Sequence, residues 1–150
     1  MIANRREFIK KSCLLCAGLS TSALVLSSCQ ATHYTTGTFT DTDVVLPISE
    51  FTYEKKGQQL QRPFIIIQND KLEFPIYLYR FSDTKYSALW MKCSHKGAEL
   101  QASGDHLYCS SHGSEFNNLG NVNQGPAEKN LRTFPVSVQG DSILINLRQS

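Results

Sequence analysis

A chain of 150 residues has room for one ordinary domain and little more, and its 41% of hydrophobic residues can supply a modest core. Fifteen Lys and Arg face thirteen Asp and Glu, a formal net charge of +2. Residues 1–28 hold Arg5, Arg6, Lys10 and Lys11 against Glu7, net +3, which leaves −1 for the remainder and no basic patch to suggest nucleic acid.

The chain opens with Asn4-Arg5-Arg6-Glu7-Phe8-Ile9-Lys10, which resembles a twin-arginine export signal. The apolar stretch from Cys13 to Leu26 is too short and too rich in Ser, Thr and Gly to span a membrane comfortably. It ends at Leu26-Ser27-Ser28-Cys29, which resembles a bacterial lipobox, whose cysteine becomes the lipid-modified first residue of the mature chain. Residues 1–28 are therefore read as an export signal peptide and Cys29 as the lipidation site. Plainer readings stand beside these: a general secretion leader, an incidental thiol at Cys29, or an uncleaved N-terminal anchor. The preferred reading implies a lipoprotein of the bacterial cell envelope, facing the periplasm or exterior. Residues 29–42 are polar and Thr-rich, and read as the lipidated cysteine followed by a tether with a solvated His33.

From Asp43 to Ser150 the pattern is period two, and the expected domain is all-β. Phe64-Ile65-Ile66-Ile67 suits a central strand, stopped by the turn signal Asn69-Asp70. Leu72, Phe74, Ile76 and Leu78 alternate with Glu73, Pro75, Tyr77 and Tyr79, as in a half-buried strand. Tyr86, Ala88 and Trp90 lead straight towards Cys93. Phe134, Val136 and Val138 pair across Gly140-Asp141 with Ile143, Ile145 and Leu147 as a closing hairpin. Pro47, Pro63, Pro75 and Pro135 argue for edges or bulges at their positions. Trp90, Tyr108, Phe116 and Phe134 read most simply as core, and no segment shows sustained helical spacing.

The five cysteines sort by position: Cys13 and Cys16 in the leader, Cys29 at its end, and Cys93 and Cys109 in the domain. None is left for a structural disulfide. Cys93-Ser94-His95 and Cys109-Ser110-Ser111-His112 each offer one thiolate and one imidazole. Four ligands of these types suit a tetrahedral zinc or an iron–sulfur cluster of mixed ligation. In an extended segment, residues i and i+2 share a face about 6.5–7 Å apart, which suits Cys93 and His95. The spacing of Cys109 and His112 asks for a turn instead. Gly97 and Gly113 would let backbone amides approach sulfur with no Cβ in the way. His106 reads as a surface or turn residue.

Cys93-x-His95, Cys109-x-x-His112-Gly113-Ser114 and the later Gly125-Pro126-Ala127 together resemble the Rieske iron–sulfur proteins. The resemblance implies a basal β-sandwich carrying a small cluster-binding β subdomain. It also implies a Rieske-type 2Fe–2S cluster, with Cys93 and Cys109 on the inner iron and His95 and His112 on the outer, partly exposed iron. Gly125 and Pro126 would belong to the loop that shields the cluster, and Ser114 would donate a hydrogen bond to a bridging sulfide. The chain departs from the family in three places. Its ligand pairs are separated by a short stretch of 13 residues, Lys96 to Tyr108. The extra loop cysteines of respiratory and photosynthetic members are Ala98 and Ser111, and the tyrosine donor of high-potential members is Phe116.

Formal charge fixes the direction of the redox argument. With two thiolates and two neutral imidazoles the oxidised cluster is neutral, whereas four thiolates would leave two negative charges for the added electron to meet. Rieske potentials accordingly span about −150 to +300 mV, above plant-type ferredoxins. Without the tyrosine hydroxyl and the disulfide, a potential in the lower half of that range is expected.

The expected function is one-electron transfer by a membrane-tethered protein, as a carrier or as the small subunit of an exported oxidoreductase. A cytochrome or an oxidoreductase large subunit would be its redox partner. The alternative is a zinc-binding structural lipoprotein. Oxygenase activity is not expected: 38 residues follow His112, and the other histidines are His33 and His106. No independent catalytic residue is assigned.

Overall fold

The structure is a computed structural model and describes residues 32–148. The expected signal peptide and the lipidation site Cys29 lie outside the described residues. Within them the chain forms β1 (Tyr34–Thr35), β2 (Thr38–Phe39), β3 (Asp43–Pro47), a 3-10 turn (Ile48–Phe51), β4 (Thr52–Lys55) and β5 (Gln58–Gln61). There follow β6 (Phe64–Ile67), β7 (Ile76–Arg80), β8 (Tyr86–Trp90), β9 (Gln101–Ser103) and β10 (His106–Tyr108). The last elements are β11 (Glu115–Asn117), β12 (Val122–Gln124), β13 (Thr133–Phe134), β14 (Val136–Gln139) and β15 (Ser142–Asn146). The all-β expectation holds, and no helix among the described residues is long and apolar enough to cross a membrane.

One sheet, in the order β1-β6-β7-β8-β13, is the middle layer of three. Its alternate residues face opposite ways, as the pleat dictates. Ile65, Ile67, Ile76, Leu78 and Ala88 pack with Val44, Leu46, Ile143 and Ile145 from the sheet β14-β15-β3-β2, forming the basal sandwich. Ile66, Tyr77 and Leu89 pack on the opposite side with Met91, Leu100, Leu107 and Phe116, under the sheet β12-β11-β10-β9. This second core also contains Cys93 and Cys109. Covering both faces explains why Phe64–Ile67 is a continuous apolar run. Burying each such Ile or Leu contributes about 1.5–3 kcal/mol before entropy is subtracted.

The closing hairpin has the expected register, with Val138 opposite Ile143 and Val136 opposite Ile145. Phe134 is a correction, because it lies on β13 against Ala88 of the middle sheet, and Pro135 marks the change of sheet. The strand expected from Leu72 begins only at Ile76. An Asn69 turn, closed by Leu72 N–H to its carbonyl at 2.9 Å, and the N–H-less Pro75 delay it. Nor is this strand half-buried: Tyr77, expected to face outward, is 0% exposed because the second core covers it. The four prolines mark strand ends rather than bulges, Pro47 closing β3 and Pro63 and Pro75 preceding β6 and β7.

The tether expectation also changes. Tyr34 and Thr35 pair in parallel with Ile66 and Ile67, and Thr38 and Phe39 pair with Val45 and Val44. The fold therefore includes residues before Asp43. Gly37 makes the turn between these strands at φ +62, and a Cβ there would stand 2.7 Å from Val44 Cγ1, so only glycine fits. His33 is not freely solvated, for its Nε2 lies 2.6 Å from Glu50 Oε2. Trp90 and Tyr108 are only half-buried, whereas Phe116 and Phe134 are core.

Candidate metal centre

Both ligand loops are built on the same backbone frame. Beyond β8, Lys92 bridges Glu99, and then Cys93 N–H donates to Ala98 C=O at 2.8 Å while Gly97 N–H donates to Cys93 C=O at 2.8 Å. Beyond the Tyr108–Glu115 pair of β10 and β11, Cys109 N–H donates to Ser114 C=O at 2.8 Å and Gly113 N–H to Cys109 C=O at 2.9 Å. Each cysteine thus closes a turn at the mouth of an antiparallel pair. Ser94–Lys96 is consequently a turn, not the extended segment expected from the i, i+2 spacing. Gly97 and Gly113 are required for their φ values of +73 and +79 rather than for space, since nothing lies within 4 Å of a Cβ built on Gly113.

The frame sorts the four side chains by exposure. Cys93 and Cys109 are 2% and 1% exposed, His95 is half-buried, and His112 is exposed. Burial raises the Cys109 thiol pKa, but the His112 and Ser111 backbone N–H groups, the Cys93 thiol and the Ser111 hydroxyl bring it below its ordinary value. That favours the thiolate, the form that binds metal. The histidine rings meet edge to face, 4.9 Å between centroids. His95 Nδ1 is buried and has no hydrogen-bond partner. A buried polar atom left this way is costly unless something outside the protein's own hydrogen bonds satisfies it.

Sulfur therefore meets sulfur and imidazole meets imidazole. Among the described residues no group of three or more His, Cys, Asp or Glu is arranged around one metal ion. The two thiols interact with one another and the two imidazoles meet edge to face, so the site offers one pair of sulfur donors and one pair of nitrogen donors. Ser114 lies 0% exposed beneath the loops, and its Oγ accepts a hydrogen bond from Ala127 N–H at 3.0 Å, leaving its own proton to donate elsewhere.

The Rieske [2Fe-2S] domain model matches residues 42–135. The chain belongs to the Rieske family. The cofactor of that domain is a Rieske-type 2Fe–2S cluster, and the residues fit it: two buried thiols, two imidazoles nearer the surface, and one orphaned ring nitrogen. Comparison with curated proteins found no match. Among solved structures the chain is similar to the plasma membrane Rieske protein PetC3 of the cyanobacterium Synechocystis PCC 6803, at 26% identity and a TM-score of 0.49, covering 56% of this chain and 86% of that one. It is also similar to the ferredoxin of carbazole 1,9a-dioxygenase from Nocardioides aromaticivorans IC177, at 22% identity and a TM-score of 0.49, covering 70% and 97%.

The remaining expected site residues fall as follows. Gly125 and Pro126 are exposed, joined by a cis peptide bond, and lead to the buried Ala127 beside Ser114. Phe116 is fully buried in the core that holds Cys93 and Cys109. His106 lies on β10, its Nδ1 3.5 Å from Asp105 Oδ1, and His33 pairs with Glu50. Two contacts escaped the sequence reading: Ser94 Oγ donates to Lys129 C=O at 2.5 Å, and Gln124 Nε2 donates to Gly113 C=O at 3.1 Å. The only sequence signal was their closeness to the ligand motifs.

Proposed function

We propose that this Rieske protein is a one-electron carrier, or the small subunit of an oxidoreductase, that exchanges electrons across its His95/His112 edge. The observation that carries the reading is the asymmetry of the site: the cysteines are buried while the histidines approach the surface. In this reading Cys93 and Cys109 hold the inner iron, and His95 and His112 the outer one. The bound group supplies a one-electron couple whose two forms differ by one negative charge.

The chain's own residues do the rest. Packing of both cysteines among Leu100, Leu107 and Phe116 excludes water from the sulfur side. The Ser114 hydroxyl, fixed by Ala127 N–H, keeps its own proton for donation to the bound group. The exposed His112 and half-buried His95 give a partner a short route to the couple. A cytochrome or an oxidoreductase large subunit docked on this edge is the expected partner. The leader supports export by the twin-arginine route and a lipid on Cys29, hence a place in the cell envelope.

EPR on the full chain, as isolated and after dithionite reduction, tests this. Silence when oxidised and a rhombic signal when reduced, with a g-average below that of all-thiolate clusters, is the expected result. A colourless protein, silent in both states and containing zinc, overturns it.

A further inference from the structure

The two ligand loops stand on different strand pairs, β8 leading into one and β10–β11 framing the other. Each loop is closed by its own backbone bonds. Cys93 and Cys109 are the only cysteines between residues 32 and 148, so no other disulfide can join the loops. Burial locates the two cysteines. The histidines lie nearer the surface, where their rings meet at 4.9 Å, and a segment that touches both loops bears on that spacing.

Residues 124–129 touch both. Ser94 Oγ donates to Lys129 C=O at 2.5 Å, one residue before His95. Gln124 Nε2 donates to Gly113 C=O at 3.1 Å, one residue after His112. Between these grips, Ala127 N–H donates to Ser114 Oγ at 3.0 Å. Ser94, His95, Pro126, Glu128 and Lys129 line one open groove, so the segment runs alongside the first histidine. Its two ends are tied at one place. Leu131 N–H donates to Gly120 C=O at 2.8 Å, Val122 N–H to Asn130 Oδ1 at 3.0 Å, and Asn130 Nδ2 to Asn121 Oδ1 at 3.0 Å. With the ends fixed, most of the segment's closure entropy is already spent. Its outward hydrogen bonds then hold the loops rather than order the segment.

We infer that residues 124–129 form a strap that sets the spacing of the two histidines, with Ser94 and Gln124 as positioning residues. The proposal rests on the reading of the site given above. It divides the labour: core packing places the thiolates, and the strap places the imidazoles.

The test uses the full chain with its cluster and four variants: Ser94→Val, Ser94→Thr, Gln124→Met and Gln124→Glu. Thr keeps the hydroxyl of Ser, Val has the shape of Thr without the hydroxyl, and Met keeps the length of Gln without its donor. Two readouts are taken, the rate of iron release to a chelator and backbone amide exchange over residues 124–130. Ser94→Val and Gln124→Met should each release iron about fivefold faster, the factor one ordinary hydrogen bond supplies. Ser94→Thr should stay within about twofold of the parent, and Gln124→Glu, which has lost its donor, should behave as Gln124→Met. Nitrogen couplings of the histidines in pulsed EPR should shift in the fast-releasing variants. If Ser94→Val does not fold, the Gln124 pair decides the matter.

Parent-like release and exchange in Ser94→Val and Gln124→Met would overturn the strap, as would equal acceleration by Val and Thr. Should the parent hold zinc instead of the cluster, the reading of the site falls. Amide exchange would still decide the strap, because it needs no particular metal.

Discussion

Replacing Ser114 by alanine separates two jobs done by one hydroxyl. Its oxygen accepts from Ala127 N–H at 3.0 Å, and both residues are buried, at 0% and 4% exposure. Losing the acceptor leaves that N–H unsatisfied, at about 1–3 kcal/mol. For a domain of this size the melting temperature should fall by roughly 5–10 °C. The hydroxyl's proton has a separate effect. A hydrogen bond to a neutral group is worth about 1 kcal/mol and one to a charged group about 1.5–3 kcal/mol. Reduction adds one negative charge, so a donor aimed at the cluster favours the reduced form by about 1 kcal/mol. At about 59 mV per tenfold for one electron and about 1.4 kcal/mol per tenfold, Ser114→Ala should lower the midpoint by about 40 mV. A redox titration followed by EPR, paired with thermal melts, measures both. A midpoint unchanged within about 10 mV, alongside the expected loss of stability, would show that the proton points elsewhere and that Ser114 serves only the strap.

Further expectations follow from other residues. The parent midpoint should lie in the lower half of the Rieske range, below about +75 mV, because Phe116 brings no hydroxyl; a higher value in the same titration would refute this. Tyr77 donates to Gly104 C=O at 2.8 Å, and burial first, then the charges of Tyr79 and Asp105, hold its pKa far above the usual value of about 10. The unfolded phenol ionises near pH 10 while the folded one does not. This stabilisation is therefore complete below about pH 10 and declines above it by about 1.4 kcal/mol per pH unit. Tyr77→Phe should abolish that share of the alkaline slope in denaturation between about pH 9 and 11, and an identical slope would contradict the assignment. Cys29→Ser should move the protein from the detergent phase to the aqueous phase on Triton X-114 partitioning; unchanged partitioning would refute lipid attachment at that residue.

Much of the site was legible in the sequence because its chemistry is local. Cys93, His95, Cys109 and His112 offer sulfur and nitrogen donors by residue type alone, and their spacing with Gly113, Ser114 and Gly125-Pro126 carried the Rieske resemblance that the family match bears out. Period-two alternation likewise marked Val136–Gln139 and Ser142–Asn146, since side-chain burial repeats along a strand whatever it pairs with. Pairing partners leave no such trace. That Tyr34–Thr35 adds to the middle sheet, that Phe134 and Val136 belong to different sheets, and that Tyr77 is buried by a second core all depend on chain segments distant in sequence. Which candidate ligand stands beside which needed the tertiary fold as well, for residue types name the candidates but not their neighbours. The thiols adjoin one another beneath the surface and the imidazoles meet nearer to it because two separate turns, each closed by its own backbone bonds, are brought together over one shared core.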